Sequence, residues 1–239
     1  MTDEEAGRVR NFVGYGRNPP DPKWPGGAHV AVNFVINYEE GGERSIPDGD
    51  PASEAALTEG STATFSGRDL GAESMFEYGS RTGFWRLHRM FTKRKLPCTV
   101  FAIARALERN PEACAAMREV GWDVAGHGYK WEIHGNMTLD YEREQIRLAT
   151  ESIARTIGER PAGWYSRYAP SMHTRNLLLD AGIAVDWQEF AGQHEIPQQV
   201  LQKLAAWLRD RILVLPTHQA LPSGAIAWLA RTLQRLDRI

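Results

Sequence analysis

Ala31-Val32-Asn33-Phe34-Val35-Ile36-Asn37-Tyr38-Glu39-Glu40-Gly41-Gly42 is the stretch on which the reading of this chain turns. Its first half is apolar and β-branched, the pattern of a buried parallel strand. The run stops at two adjacent carboxylates and two glycines. Ligands of α/β proteins bind at the carboxyl ends of parallel strands. A strand that delivers Glu39 and Glu40 to such an end is expected to carry chemistry. Partial burial there is expected to raise the Glu39 pKa towards that of a useful base. Neighbours on a regular strand face opposite ways, so both carboxylates reach one cavity only if the backbone turns, which Gly41 and Gly42 permit.

The 239 residues, 42% of them hydrophobic, are enough for a single domain with a substantial core. Residues 1–28 read as an irregular lead-in. Net charge is −2, without the basic stripe of a nucleic-acid binder. Cys98 and Cys114 lie in apolar surroundings and read as reduced core residues. The acidic N-terminus does not read as a signal peptide, and no segment reaches the length of a membrane span. The expectation is a cytoplasmic protein with no membrane or nucleic-acid partner.

Outward from the opening stretch, strands and helices alternate. Strands are expected at 29–36, 96–104, 121–128, 161–168, 183–186 and 211–218. Helices are expected near 83–91, 111–120, 140–157, 174–180, 200–211 and 223–236. Residues 41–80 read as a long polar loop, and Glu73 is its best-placed acid because it leads into a helix. The alternation implies parallel pairing with right-handed crossovers. Several strands end in a polar or ionisable side chain: Glu39/Glu40, His127, Arg167, Asp186 and His218. Barrel enzymes assemble their sites from such strand ends. A carboxylate activates water, an imidazole protonates a leaving group, and an arginine holds a carboxylate or a carbonyl oxygen.

The order Tyr38-Glu39-Glu40-Gly41, then Gly126-His127-Gly128-Tyr129-Lys130-Trp131, then Gly163-Trp164-Tyr165-Ser166-Arg167-Tyr168-Ala169-Pro170, then a strand ending in His218, resembles the NodB-homology polysaccharide deacetylases. That resemblance implies an α/β fold, a deformed (β/α) barrel, and an amide-cleaving hydrolase. In the family, paired aspartates and a His-x-x-x-His motif supply the base and the ligands of zinc or another divalent ion. Here Glu39 and Glu40 occupy the aspartate slots. Trp131 stands four residues after His127, where the second imidazole is expected, and His134 falls seven residues after.

The departure, with the segments 14–43, 73–87 and 163–178, is similar to the metal-independent allantoinase branch of the family. Its members open the hydantoin ring of allantoin to allantoate, and cyclic imide hydrolases are related to them. The likeness covers roughly residues 10–182. After Ile183 the chain is short against those relatives, which predicts C-terminal helices that cover a sheet edge and leave the barrel incomplete.

What the resemblance implies is a site of Glu39, Glu40, His127, Arg167 and His218. Glu73, Tyr129, Trp131, Tyr168 and Asp186 would bind a small cyclic ureide or imide, without a metal. Trp131 is expected to offer a flat surface on which a small ring stacks. Two further readings stay open: a Zn2+-dependent N-deacetylase of acetylated sugars, for which His127 and His134 are the nearby candidate pair, and a degenerate non-catalytic homologue. Aromatic-rich N-terminal loops make a homo-oligomer an additional expectation.

Overall fold

In a computed structural model of the chain, the residues described are 12–13, 15–18, 21, 28, 30–58, 66–161, 163–183 and 213–215. They fall into two compact units, one holding residues 35–89 and 99–183, the other holding 30–34, 90–98 and 213–215.

The larger unit is built on a parallel sheet in the order β2 (Val35–Tyr38), β3 (Thr99–Ala102), β4 (Asp123–Gly126). Val35 pairs with Thr99 and Thr99 with Asp123, so the carboxyl ends of all three strands lie level. β3 is central among them, and Val100 and Ala102 are fully buried. β2 alternates, with Ile36 and Tyr38 inward and Val35 outward, because among the described residues it is an edge strand. The apolar run 30–36 is therefore two strands. It breaks at Asn33-Phe34, and its first part, β1 (Val30–Val32), belongs to the smaller unit. There it pairs antiparallel with β5 (Leu213–Leu215), Val30 opposite Leu215, against the expectation of parallel pairing throughout.

The 41–80 stretch is not all loop. Helix α1 (Leu70–Tyr78) is capped by Asp69, whose side chain accepts the Ala72 N–H, and it buries Ala72 and Phe76 four residues apart. A π-turn, Gly79–Gly83, joins it to α2 (Phe84–Lys93). The strand expected at 96–104 yields early to α3 (Ala104–Arg109), and α4 (Pro111–Glu119) follows with Asn110 as cap and Pro111 in its first turn. α5 (Leu139–Ile157) runs from the Thr138 cap to Gly158 at φ 92°. It buries Ile146, Ala149, Ile153 and Ile157 at three- and four-residue spacing, one stripe against the core. Each buried isoleucine contributes about 1.5–3 kcal/mol. α6 (Thr174–Asp180) packs Leu177 and Leu178 with Ile146 and Ile183.

The strand expected at 161–168 shrinks to a single parallel bridge, Gly126 with Trp164. Gly126 must be glycine for this, since a Cβ there would stand 2.3 Å from the Trp164 ring. Cys98 and Cys114 are buried and not joined in a disulfide. No helix among the described residues is long and apolar enough to cross a membrane. The rest of the lead-in, residues 184–190 with Asp186, and the helices expected at 200–211 and 223–236 lie outside the described residues, as does His218.

Candidate active site

The level carboxyl ends of β2 and β4 bring Glu39 and His127 together. After Tyr38 the backbone turns: the Gly42 N–H donates to the Glu39 carbonyl at 3.0 Å, and Gly41 takes φ 103°. A Cβ on Gly42 would stand 2.3 Å from the Ile103 side chain, so the turn lies tightly on the start of α3. The turn brings both carboxylates to one cavity, as expected.

Glu39 is held on both oxygens. Oε1 accepts from Asn37 Nδ2 at 2.7 Å and faces His127 Nε2 at 3.4 Å. Oε2 accepts from Arg167 Nε at 2.9 Å. Burial pushes the Glu39 pKa up, but contact with His127, the Asn37 amide and the Arg167 guanidinium outweigh it and bring it down to about 2. The expectation of a raised Glu39 pKa is therefore overturned: its burial comes with donors that stabilise the charged form. The raised carboxylate is Glu40, pushed up first by burial and further by the charges of Glu39 and Glu43.

His127 is 3% exposed. Its Nδ1–H donates to the Tyr165 carbonyl at 2.5 Å, which leaves Nε2 towards Glu39. Its ring continues a stack with Phe101 and Tyr165, whose centroids lie 4.7 Å apart. Arg167 is sandwiched between Trp131 and Tyr168, its guanidinium carbon 3.9 Å and 4.0 Å from the two ring centroids. Its Nη2 donates to the Tyr168 hydroxyl at 2.8 Å, with Tyr168 at φ 58°, an uncommon backbone state found at constrained sites.

Trp131 is tied in by its backbone N–H, which donates to the Gly42 carbonyl at 2.8 Å. Arg167 covers one face of the indole, and Phe76 meets the ring edge-on at 80°. Arg167 thus takes one face of the indole, while the ring still borders two cavities. Its buried Nε1 has no partner among the described residues.

Two cavities adjoin Trp131. The smaller, about 230 Å³, is bounded by Asn37, Glu39, Glu40, Leu57, Thr58, Met75, Phe76 and Trp131. The larger, about 710 Å³, has Arg167, Tyr168 and Tyr141 in its wall. Of the other candidates, Glu73 is engaged by Arg68 at 2.6 Å, beside a cavity it shares with Glu40. Tyr129 donates to Glu108 at 3.4 Å, in a cluster with Arg105 and Arg155. Asn37, Met75, Phe76 and Gly79 were not singled out from the sequence. Asn37 had a signal, since it stands two residues before Glu39 and so on the same strand face.

The divalent ion implied by the deacetylase resemblance does not fit the residues here. Trp131 replaces an imidazole, and the Arg167 cation occupies the Glu39 carboxylate. His134 is spent elsewhere: its Nδ1 lies 3.0 Å from Glu142 Oε1 in a buried network. Among the described residues no group of three or more His, Cys, Asp or Glu side chains could hold a metal ion.

Residues 71–184 match the polysaccharide deacetylase family. A putative polysaccharide deacetylase of Schizosaccharomyces pombe is 36% identical over 208 residues, 83% of this chain. The chain spans 65% of that relative's length. A crystal structure of a probable polysaccharide deacetylase from Pseudomonas aeruginosa PAO1 is 32% identical, with TM-score 0.71 over 95% of this chain and 91% of that one. The crystal structure of PuuE allantoinase is 31% identical, with TM-score 0.71 over 98% and 92%. With its parallel sheet, flanking helices and strand-end cluster of Glu39, His127 and Arg167, this chain belongs to the polysaccharide deacetylase (NodB-homology) family of hydrolases.

Proposed function

We propose that this chain hydrolyses a ring carbon–nitrogen bond of a small cyclic amide, a hydantoin-type ureide or a cyclic imide, as an allantoinase opens allantoin to allantoate. The observation that carries this reading is the cavity of about 230 Å³ beside Glu39. Its lining combines the Glu39 and Glu40 carboxylates and Asn37 with the apolar side chains of Leu57, Met75, Phe76 and Trp131. A small planar ring with N–H edges and apolar faces matches such a lining, whereas a polysaccharide needs an extended groove. The similarity to PuuE allantoinase over nearly the whole chain supports the same reading.

The chemistry needs no metal. Ureide and imide carbonyls are more electrophilic than ordinary amides, so a carboxylate of the Glu39–Glu40 pair suffices to take a proton from water. The Arg167 guanidinium keeps the Glu39 charge in place within the low-dielectric site. His127 orients Glu39 from the opposite side.

A second reading is N-deacetylation of acetylated sugars. The similarity to the putative polysaccharide deacetylase of fission yeast favours it, as does the roomier cavity beside Arg167 and Tyr168. A panel of hydantoins, allantoin, cyclic imides and N-acetylglucosamine oligomers, each with and without EDTA, separates the two. Turnover of a cyclic member in EDTA supports the first reading. Turnover of the oligomers alone, abolished by EDTA, overturns it.

A further inference from the structure

We propose that Glu40, and not Glu39, is the base that activates water, and that Gly79 is the positioning residue that seats its carboxylate. The inference rests on the proposed amide hydrolysis and divides the labour of the two adjacent carboxylates.

The first observation is that Glu39 is occupied. Asn37 donates to one oxygen, which His127 Nε2 also faces at 3.4 Å, and Arg167 donates to the other, so both oxygens of Glu39 are engaged. A carboxylate stabilised as an anion this firmly is a poor proton acceptor. Its charge serves the site by holding Arg167 and His127.

The second is that Glu40 borders the same cavity unencumbered. Neither an ion pair nor a side-chain hydrogen bond engages its carboxylate among the described residues, in contrast to Glu39. Met75, Phe76 and Trp131 line the same cavity, and burial is the largest influence on the Glu40 carboxylate, which strengthens a base.

The third is the seat. A Cβ built on Gly79 would stand 2.4 Å from Glu40 Oε1 and 2.5 Å from its carboxyl carbon. Only glycine lets the carboxylate lie there. Gly79 opens the π-turn between α1 and α2, a rare local geometry that recurs at functional sites.

In the step, Glu40 takes one proton of water as the water oxygen bonds to the ring carbonyl carbon. The tetrahedral adduct collapses with cleavage of the C–N bond, and the proton on Glu40 passes to the leaving nitrogen. The new carboxylic acid then releases its proton to solvent, so Glu40 ends as it began.

The experiment measures kcat, KM and melting temperature for Glu40→Gln, Glu39→Gln and Gly79→Ala, and formate rescue of Glu40→Ala and Glu39→Ala. The substrate is whichever amide of the panel the wild type hydrolyses. Glu40→Gln is expected to lose about 10²–10⁴ in kcat, as for loss of a general base, with the melting temperature kept. Gly79→Ala is expected to lose kcat while keeping stability, because the displaced atoms are the free end of a side chain and alanine suits a helix. Formate is expected to restore turnover to Glu40→Ala and not to Glu39→Ala. Retention of more than about a third of the rate in Glu40→Gln, or formate rescue of Glu39→Ala alone, overturns the inference even if cyclic amides are substrates. Turnover of acetylated sugars only, with loss in Glu40→Gln, overturns the cyclic-amide reading and keeps Glu40 as base. A wild type inert to every amide overturns both.

Discussion

Arg167 Nε donates to Glu39 Oε2 at 2.9 Å, across 128 positions of sequence, and the same guanidinium lies 3.9 Å from the centre of the Trp131 ring. One side chain thus ties the end of β2 to the loop after β4. Both partners are largely buried, with side-chain exposures of 7% and 16%.

Arg167→Met should therefore cost stability as well as activity. It strands a buried carboxylate, which costs about 3–5 kcal/mol. Arg167→Lys keeps the charge but loses the planar sandwich and the donor to Tyr168, and should recover only part of the loss. Urea unfolding of both variants checks this. A loss under 1 kcal/mol in Arg167→Met would show that water screens the pair.

The depressed Glu39 pKa makes a statement about acid stability. A folded pKa of about 2 against an ordinary 4.5 means that the anion stabilises the fold above pH 4.5, and that this stabilisation is lost as pH falls towards 2. The shift corresponds to about 3 kcal/mol. Between pH 6 and pH 3, unfolding should show a loss about 2 kcal/mol smaller in Glu39→Gln than in the wild type. Equal losses would mean that Glu39 is not held as an anion.

Trp131→His restores the imidazole of the family motif at that position. It is expected not to create a tight zinc site, because Glu40 lies against Gly79 and Arg167 holds Glu39. Zinc titration by calorimetry reads this directly, and the wild type should keep its turnover in EDTA. Stoichiometric tight zinc binding by the variant would mean that the carboxylates reorient easily.

Away from the site, Glu142 is fully buried and accepts from His134, Ser171 and Thr174. Glu142→Ala leaves several buried donors unpaired, each costing about 1–3 kcal/mol, and should destabilise by about 3 kcal/mol or more. Arg147 makes two ion pairs on an exposed helix face, to Glu144 and Glu151. Arg147→Ala should cost less than 1 kcal/mol, since water screens exposed pairs. Chemical denaturation of the two variants side by side checks the contrast.

Local structure was legible in the sequence. The stripe of α5 and its stop at Gly158 are periodicity and capping chemistry, and they read directly. So did α6, β4 before His127, and the strand end that carries Glu39. Helix α1 did not, because only Ala72 and Phe76 face inward and its polar, glycine-bearing composition reads as loop. The division of the apolar run 30–36 between two units came from packing, because an edge strand and a strand of an antiparallel pair carry the same β-branched residues. Packing alone gives Glu39 and Glu40 different surroundings. Adjacent identical side chains have the same intrinsic pKa, and what parts them is position: Glu39 meets donors from β4 and from the loop beyond, Glu40 meets a glycine on a helix. Those neighbours lie far away in sequence, so the long-range packing that sets the electrostatics could not be read from the motif.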